Sequence, residues 1–458
     1  MSKLNVDFDL VRKYNVPGPR YTSYPPATQF SDQLPLETVR QRIEANNATP
    51  RDLSLYFHLP FCETLCWFCG CTTVITLDHG KSRSYVGRLE QEMDLVRPLL
   101  HPERQVVQIH FGGGTPTFSP PDQLRRLGEA IHRRFPFAAD VEAGVEVDPR
   151  RLTRDHLVAL REIGFNRTSM GVQDNNPVVQ KAVHRIQPLD LTRQTVDWIR
   201  ELGFTSLNID LIYGLPHQTV DSFRQTLDEI IELQPDRFAV FSYAHVPWMK
   251  PAQKILQNRD VLPSAETKLD LLKLSIERLG EAGYVYIGMD HFARPDDELA
   301  VAQKQGALQR NFQGYSTRGG ADIYSFGMSS ISQIEDTYWQ NLKELPAYEA
   351  AIDAGHLPYA RGYQLTRDDL IRRETIMQIM CNLGADYAAM SQRLGVPFEE
   401  YFAAELASLD DLEADGLVVR QATGLRLTEL GRLLVRIVAM RFDVYLPKQT
   451  VRRHAMTI

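Results

Sequence analysis

The chain has 458 residues, 43% of them hydrophobic and 24% charged, with a formal net charge of −7. That balance excludes a disordered chain and gives no overall attraction toward nucleic acid or acidic lipid, so an anionic ligand would have to be held by local cations. The opening run Met1 to Gly18 interrupts its apolar residues with charges, unlike a secretory leader, and no uninterrupted apolar stretch is long enough to span a bilayer. The expected location is cytoplasmic, with no membrane partner.

Residues 1–50 read as an N-terminal segment packing near the active site, in which PRYTSYPP is either a plain extended linker or a flap carrying Arg20, Tyr21 and Tyr24. From residue 51 to about 290 the chain alternates β-rich runs with amphipathic helical stretches. Strands are predicted at 53–59, 106–111, 143–147, 167–172, 206–212, 237–243 and 284–289, and helices at 83–97, 153–163, 189–202, 219–233 and 266–282. Six or seven such units imply an α/β fold with a parallel sheet, a complete or partial (β/α) TIM-like barrel over residues 51–335.

Four of the five cysteines lie in CETLCWFCGC, after the first strand. Cys62, Cys66 and Cys69 have the spacing CxxxCxxC, which lets one tight loop turn three soft thiolates toward one centre, and three ligands on a four-iron cubane leave one iron open. Cys71 adds a fourth sulfur, so a closed zinc site is the alternative, although zinc sites usually come as two separated pairs. Paired disulfides do not suit an intracellular chain. Cys381 lies in an apolar helical run and reads as core.

The other unusual residues also fall at strand ends. GGGTP (112–116) follows the second strand, Glu146 and Asp148 end the third, Gln173 ends the fourth, Asp210 lies within the fifth and Tyr243 to His245 end the sixth. In a parallel barrel these ends share one mouth. Each has an ordinary alternative: a solvated carboxylate, a core acceptor, a turn before Pro116. GGGTP matches neither GxGxxG nor a phosphate loop; its glycines would let a ligand lie against bare backbone. His58 alternates with Tyr56 and could be a core histidine or a partner near the loop. Asp290 and His291 lack the further ligands a metal site needs.

Residues 360–458 read as a C-terminal, mostly helical, winged-helix-like domain, with helices at 367–382, 386–394, 398–415 and 428–441 and a hairpin around Ala422 to Gly424. Winged helices often bind DNA, which raises a metal-sensing regulator as an alternative. From Arg361 to Ile458 there are thirteen Lys or Arg and thirteen Asp or Glu, without a basic stripe, so a lid over substrate is the preferred reading and no nucleic-acid partner is expected.

The cysteine loop followed by the glycine run resembles the radical S-adenosylmethionine (SAM) superfamily. PGPRYTSYP, LYFHLPFC, CGC, HFGGGTP, EVDP, SMGVQD, NIDLIYGLP, SYAH, GMDHFARPDDELA and RNFQGY together resemble the oxygen-independent coproporphyrinogen III oxidases within it. The resemblance implies a barrel of the radical SAM type. It also implies one 4Fe-4S cluster on Cys62, Cys66 and Cys69, and two bound SAM molecules. Tyr56, Gly113, Glu146 and Ile331 match contacts to the cluster-bound SAM. Phe68, Gly114, Thr115, Gln173, Arg185, Asp210 and Ala244 match contacts to the second. Two departures stand out, Val183-His184-Arg185 in place of Val-Asn-Arg, and SFGMSSIS around Ile331.

By the same resemblance, a 5′-deoxyadenosyl radical removes hydrogen from the β-carbon of a substrate propionate, carbon dioxide leaves and a vinyl group forms. Two such events convert coproporphyrinogen III to protoporphyrinogen IX. An electron donor, such as a flavodoxin-type protein, and an electron acceptor are implied, and a monomer is expected. Tyr56, Cys71, Arg20 and Arg310 are the candidate residues on the substrate side, with Cys71 a substrate contact, a proton donor or a structural thiol. Arg20, Arg294 and Arg310 are candidate cations for the substrate's carboxylates. A haem chaperone related to this family is the nearest alternative, but such relatives typically lack the second cysteine of CGC and the PRYTSYP segment.

Overall fold

The computed structural model describes residues 8–256 and 261–446. The parts of the N- and C-terminal readings that fall on 1–7 and 447–458 lie outside the described residues.

Six strands run parallel: β1 (Leu53–Leu59), β2 (Val106–Gly113), β3 (Phe137–Val147), β4 (Arg167–Gln173), β5 (Ser206–Tyr213) and β6 (Arg237–Ser242). Each is followed by a principal helix: α1 (Gly80–Val96), α2 (Pro121–Arg134), α3 (Arg154–Glu162), α4 (Leu189–Glu201), α5 (Val220–Ile231) and α6 (Ala265–Glu281). Three of these helices, α3, α5 and α6, start at a Thr or Ser cap, Thr153, Thr219 and Ser264. At α5 Thr219 Oγ1 accepts from the Ser222 amide at 3.1 Å while Ser222 Oγ accepts from the Thr219 amide at 3.0 Å, a reciprocal capping box.

The run 284–289 was expected as a seventh parallel strand and is not one. After β7 (Val285–Gly288) the backbone enters positive φ at Gly288 (145°) and Met289 (57°), and β8 (His291–Ala293) returns antiparallel to both β7 and β6. A separate hairpin, β9 (Gln309–Asn311) with β10 (Gly314–Ser316), precedes β11 (Asp322–Phe326), which pairs parallel to β1. The strands β12 (Ile331–Ile334), β13 (Thr337–Asn341) and β14 (Tyr359–Gln364) extend the sheet antiparallel beyond β11. The order is β14-β13-β12-β11-β1-β2-β3-β4-β5-β6-β8-β7, so among the described residues the barrel is partial and open between its two edges.

Strand residues alternate between two environments, as the period of two requires. One parity, with Leu55, Phe57, Ile109, Phe111, Val145, Met170, Ile209 and Phe238, forms the main core under the helices. Phe57 stacks on Phe326 at 4.9 Å and meets Phe111 edge-on at 5.4 Å. The other parity faces the barrel interior. The Leu36–Asn46 helix adds Val39 and Ile43 to the main core, and Asn46 and Arg104 both donate to the buried Asp322 carboxylate.

A second core joins the ends of the chain. Tyr21 and Tyr24 are buried against Ile376, Ile379 and Met380 of α7 (Arg367–Asn382) and Ile437 and Val438 of α8 (Val435–Met440), together with Ile287 and Leu299 from the barrel side. Cys381 is fully buried there, as expected of a core residue. The expected helices 398–415 and 428–441 are broken at Phe402 and Leu434, both buried and both away from helical dihedrals, so packing overrides local propensity. The expected hairpin is Val418–Gln421 with Gly424–Leu427, and Gly384–Asp386 completes a three-stranded sheet. No described helix is long and apolar enough to cross a membrane.

Candidate active site

The interior parity of the six parallel strands is polar. It carries Tyr56 and His58, Gln108 and His110, Glu142 and Glu146, Arg167 and Ser169, Asn208 and Asp210, then Arg237 and Phe241. Ordinary closed barrels fill this space with branched aliphatic side chains. Here it leaves a cleft that, open solvent included, encloses about 970 Å³ and reaches His291 and Tyr315.

At one end of the cavity charged side chains satisfy one another. Arg237 donates to Asp297 and Glu298, each at 2.8 Å, and Arg167 donates to Glu298 at 2.8 Å. Arg294, expected near a substrate carboxylate, lies at this end: its amide bonds the Asp236 carbonyl at 3.0 Å, below the start of β6, and its side chain faces Asp296 at 3.8 Å. The antiparallel return of β8 puts it away from the cysteine loop.

At the C-terminal ends of the strands the expected residues gather. The cysteine loop leaves β1 at Pro60, and the glycine run packs against it. The Gly114 and Thr115 amides donate to the Leu59 and Phe61 carbonyls at 2.9 Å each. A side chain at Gly114 would put its Cβ 2.5 Å from the Pro60 carbonyl oxygen, and one at Gly113, where φ is 114°, would strike the His58 ring at 2.7 Å. The glycines therefore allow close approach of loop to strand.

The three thiols have donors around them. Thr115 Oγ1 lies 3.3 Å from Cys62 Sγ; Arg150 and Arg185 point N–H groups at Cys66 Sγ at 3.4 and 3.7 Å; the Cys71 amide donates to Cys69 Sγ at 3.4 Å. N–H donors of this kind stabilise thiolate charge. Among the described residues no three His, Cys, Asp or Glu side chains are gathered as ligands of one metal ion. Three soft thiols on one loop, ringed by N–H and O–H donors, are a donor set that fits an iron-sulfur cluster. Cys71 is exposed on the rim, and its carbonyl accepts from Lys250 Nζ at 3.0 Å.

Beneath the loop, Tyr56 donates to or accepts from His58 Nδ1 at 3.2 Å and stacks on His110 at 6.0 Å. His58 Nε2 reaches the Thr72 carbonyl at 2.9 Å, and burial lowers its pKa. His110 Nε2 stands 3.6 Å from Glu146 Oε1, and the Gly113 amide donates to Glu146 Oε2 at 3.2 Å. Burial would raise Glu146, but the His110 hydrogen bond and charge and the Gly113 amide outweigh it and hold the carboxyl below its ordinary value. Across the cavity burial, then the charge of Glu146, push Asp210 up to about 7, against hydrogen bonds from Asn208 at 2.7 Å and Ser169 at 3.4 Å.

Gln173 ends β4 with φ 72°, and a Cβ on Gly171 would lie 2.7 Å from its Nε2. Arg185 is buried, donating to the Gly171 carbonyl at 2.7 Å and to Asp148 at 3.1 Å; burial would raise Asp148, but Arg185 and Arg150 hold it far below its ordinary value. Phe68 packs in a small cluster with Val179, Ile212 and Tyr243, and Ala244 is exposed just beyond β6. Ile331 opens β12, two strands from Tyr56, and packs near Phe30 and Tyr338. On the open side, Arg20 pairs with Asp290 and lies over the Phe241 ring at 5.6 Å, while Arg310 is buried over Tyr315 at 4.7 Å.

Sequence reasoning missed His110, Ser169 and Asn208. Their signal is the parity: Gln108 and His110, then Arg167, Ser169 and Gly171, then Ser206, Asn208 and Asp210 occupy alternate positions and are polar or glycine.

The Radical SAM superfamily model matches residues 56–230 and the HemN C-terminal domain model matches residues 365–434. The oxygen-independent coproporphyrinogen III oxidase of Escherichia coli is 48% identical over 97% of this chain and 97% of its own length. That of Synechocystis sp. is 46% identical, covering 96% of both chains. The solved structure of coproporphyrinogen III oxidase (HemN) from Escherichia coli, described as a radical SAM enzyme, superposes with a TM-score of 0.92 at 46% identity, covering 97% of this chain and 100% of that one.

Proposed function

The chain belongs to the oxygen-independent coproporphyrinogen III oxidases of the radical SAM superfamily, and from that premise we propose that it decarboxylates two propionates of coproporphyrinogen III to vinyl groups, giving protoporphyrinogen IX in haem biosynthesis. The observation that carries this is the three-cysteine loop at the C-terminal end of a strand in an open barrel whose inner face lines a polar cleft.

A 4Fe-4S cluster and SAM, when bound, would supply the one-electron radical chemistry by which a hydrogen atom leaves the propionate β-carbon, carbon dioxide departs and one electron passes to an acceptor. The protein's residues bind, orient and exclude water. Cys62, Cys66 and Cys69 hold the cluster. Glu146, kept ionised by His110 and the Gly113 amide, accepts from the ammonium or ribose of the first SAM, with Tyr56, Gly113 and Ile331 beside it. Phe68, Gly114, Thr115, Gln173, Arg185, Asp210 and Ala244 would hold a second SAM. Asp210, pushed up to about 7, can carry a proton near neutral pH and then donates as well as accepts. Cys71 and Tyr56 face the substrate, and Arg20 and Arg310 take its carboxylates.

The C-terminal helices share a core with Tyr21 and Tyr24, which supports a lid over the substrate. A cytoplasmic monomer reduced by a flavodoxin-type donor, with no nucleic-acid or membrane partner, completes the reading. Anaerobic reconstitution tests it: with reductant, 5′-deoxyadenosine and carbon dioxide should appear together, dependent on coproporphyrinogen III. Intact SAM with stoichiometric uptake of haem would establish the chaperone reading instead.

A further inference from the structure

Exposed apolar side chains are not scattered evenly over this molecule. Among the described residues, the six large apolar side chains that are more than half exposed are Leu77, Val178, Ile186, Trp248, Met249 and Ile255. Leu77 follows the cysteine loop, Val178 and Ile186 stand in residues 177–187 after β4, and the other three stand in residues 244–256 after β6. Single exposed apolar residues are ordinary, but a group confined to one face marks an interaction site. Trp and Met are also among the types enriched at interfaces.

Contacts seat both segments on the loop itself. The Trp67 amide donates to the Val183 carbonyl at 3.0 Å, the Trp67 ring stacks on His184 at 5.2 Å, and His184 Nδ1 lies 2.9 Å from the Leu65 carbonyl oxygen. From the other segment, Gln253 Nε2 donates to the Phe68 carbonyl at 3.1 Å and Lys250 Nζ to the Cys71 carbonyl at 3.0 Å. Residues 177–187 therefore flank the loop at 65–67 and residues 244–256 flank it at 68–71, the two stretches that hold Cys66 and Cys69. Gly70 and Cys71 are themselves exposed.

The charge of this face opposes that of the chain. Residues 177–187 and 244–256 contain Lys181, Arg185, Lys250 and Lys254 and no Asp or Glu, in a chain whose formal net charge is −7. Arg185 is turned inward to Asp148, whereas Lys181 and Lys254 are exposed. Within the loop Glu63 is the one acid, and Arg151 meets it at 2.7 Å. An apolar patch with lysines beside it steers and holds an acidic partner. The same lysines oppose self-association, since a symmetric contact would bring them against their own copies.

We propose that this face is the docking surface of an acidic one-electron carrier protein of the flavodoxin type. The inference rests on the reading that Cys62, Cys66 and Cys69 hold an iron-sulfur cluster, and it says where on the chain the reductant of that cluster binds. The carrier's reduced flavin gives up one electron and the cluster takes it, with no bond made or broken. Transient redox contacts are small, and six apolar side chains with exposed lysines beside them are of that scale.

The test uses the full-length protein, an acidic flavodoxin and, as a reductant that needs no docking, dithionite. Flavodoxin should bind the metal-free chain in calorimetry, and its affinity should fall as ionic strength rises. Trp248→Glu, and Lys181→Glu combined with Lys254→Glu, should each weaken that binding about tenfold or more. At limiting flavodoxin they should lower flavodoxin-driven release of 5′-deoxyadenosine by the same factor and leave dithionite-driven release at the wild-type level. A wild type that binds no flavodoxin, or binding that neither variant changes, would overturn the surface. So would an equal loss of flavodoxin-driven and dithionite-driven release. A homodimer that Trp248→Glu dissociates, or wild-type binding to phosphatidylserine vesicles in preference to flavodoxin, would give the face to another partner and overturn it too. If flavodoxin binds and the variants lose that binding, yet dithionite drives no decarboxylation, the docking surface stands and the proposed activity fails.

Discussion

The two faces of the parallel sheet are written in the same strands and have opposite chemistry. Toward the helices, Leu55, Phe57, Phe111, Val145 and Ile209 are buried in one apolar core. Toward the cavity, one residue away on each strand, stand Tyr56, His110, Glu146 and Asp210. Parallel strands covered on both faces are ordinarily apolar on both. This half-barrel instead leaves its inner face to a ligand and packs its apolar core on the outer face. Substitutions on one face should thus cost activity and on the other stability, and each of the following variants tests that separation.

The largest effect is expected at the mouth. Cys66→Ser replaces a soft thiolate with a hard hydroxyl and should abolish cluster incorporation and SAM cleavage altogether. Iron content, the broad visible absorbance of the reconstituted protein and 5′-deoxyadenosine release measure it. Thermal unfolding of the metal-free protein should move little, since Cys66 packs in a loop rather than in the main core. A serine variant that still cleaves SAM would remove Cys66 from the cluster.

Phe57→Ala probes the outer face. Phe57 is fully buried between Phe111 and Phe326, so truncation should cost about 3–5 kcal/mol in denaturant unfolding. What folded protein remains should keep its affinity for SAM. A loss of affinity without a loss of stability would show that the two faces are not separable at β1. Breaking the buried pair of Arg104 with Asp322 by Arg104→Met should cost a similar amount, about 3–5 kcal/mol, because it leaves a buried carboxylate without its partner.

Much of this was legible in the sequence. The six parallel strands, the cysteine loop, the strand-end positions of Glu146 and Gln173 and the place of Asp210 within a strand follow from period and spacing. Three things were not. The return of β8 depends on positive φ at Gly288 and Met289, which no periodicity reveals, and it carries Arg294 to the wrong end. The pairing of β11 with β1 joins residues too far apart in the chain for a local pattern to connect. The burial of Tyr21 and Tyr24 against α7 and α8 depends on how the second core packs the N-terminal segment against the C-terminal helices. His110, by contrast, could have been found by reading strand parity from Tyr56 outward.

The subtlest test lies on the inner face and is a dependence on pH. Asp210 ionises near its ordinary value in the unfolded chain but keeps its proton to about 7 in the fold, where burial and then Glu146 oppose its charge. Between those values the native state holds more protons than the unfolded one, so this group's contribution is fully present at pH 4 and is lost as pH rises through 7. Asp210→Asn removes the titration while keeping an amide of similar size that can bond Ser169 and Asn208. The variant's stability relative to the wild type should therefore improve as pH rises from 4 to 8, by a few kcal/mol at most, in urea unfolding of the metal-free protein. Parallel stability curves would mean that Asp210 is ionised throughout, and that Glu146 does not oppose its charge across the cavity.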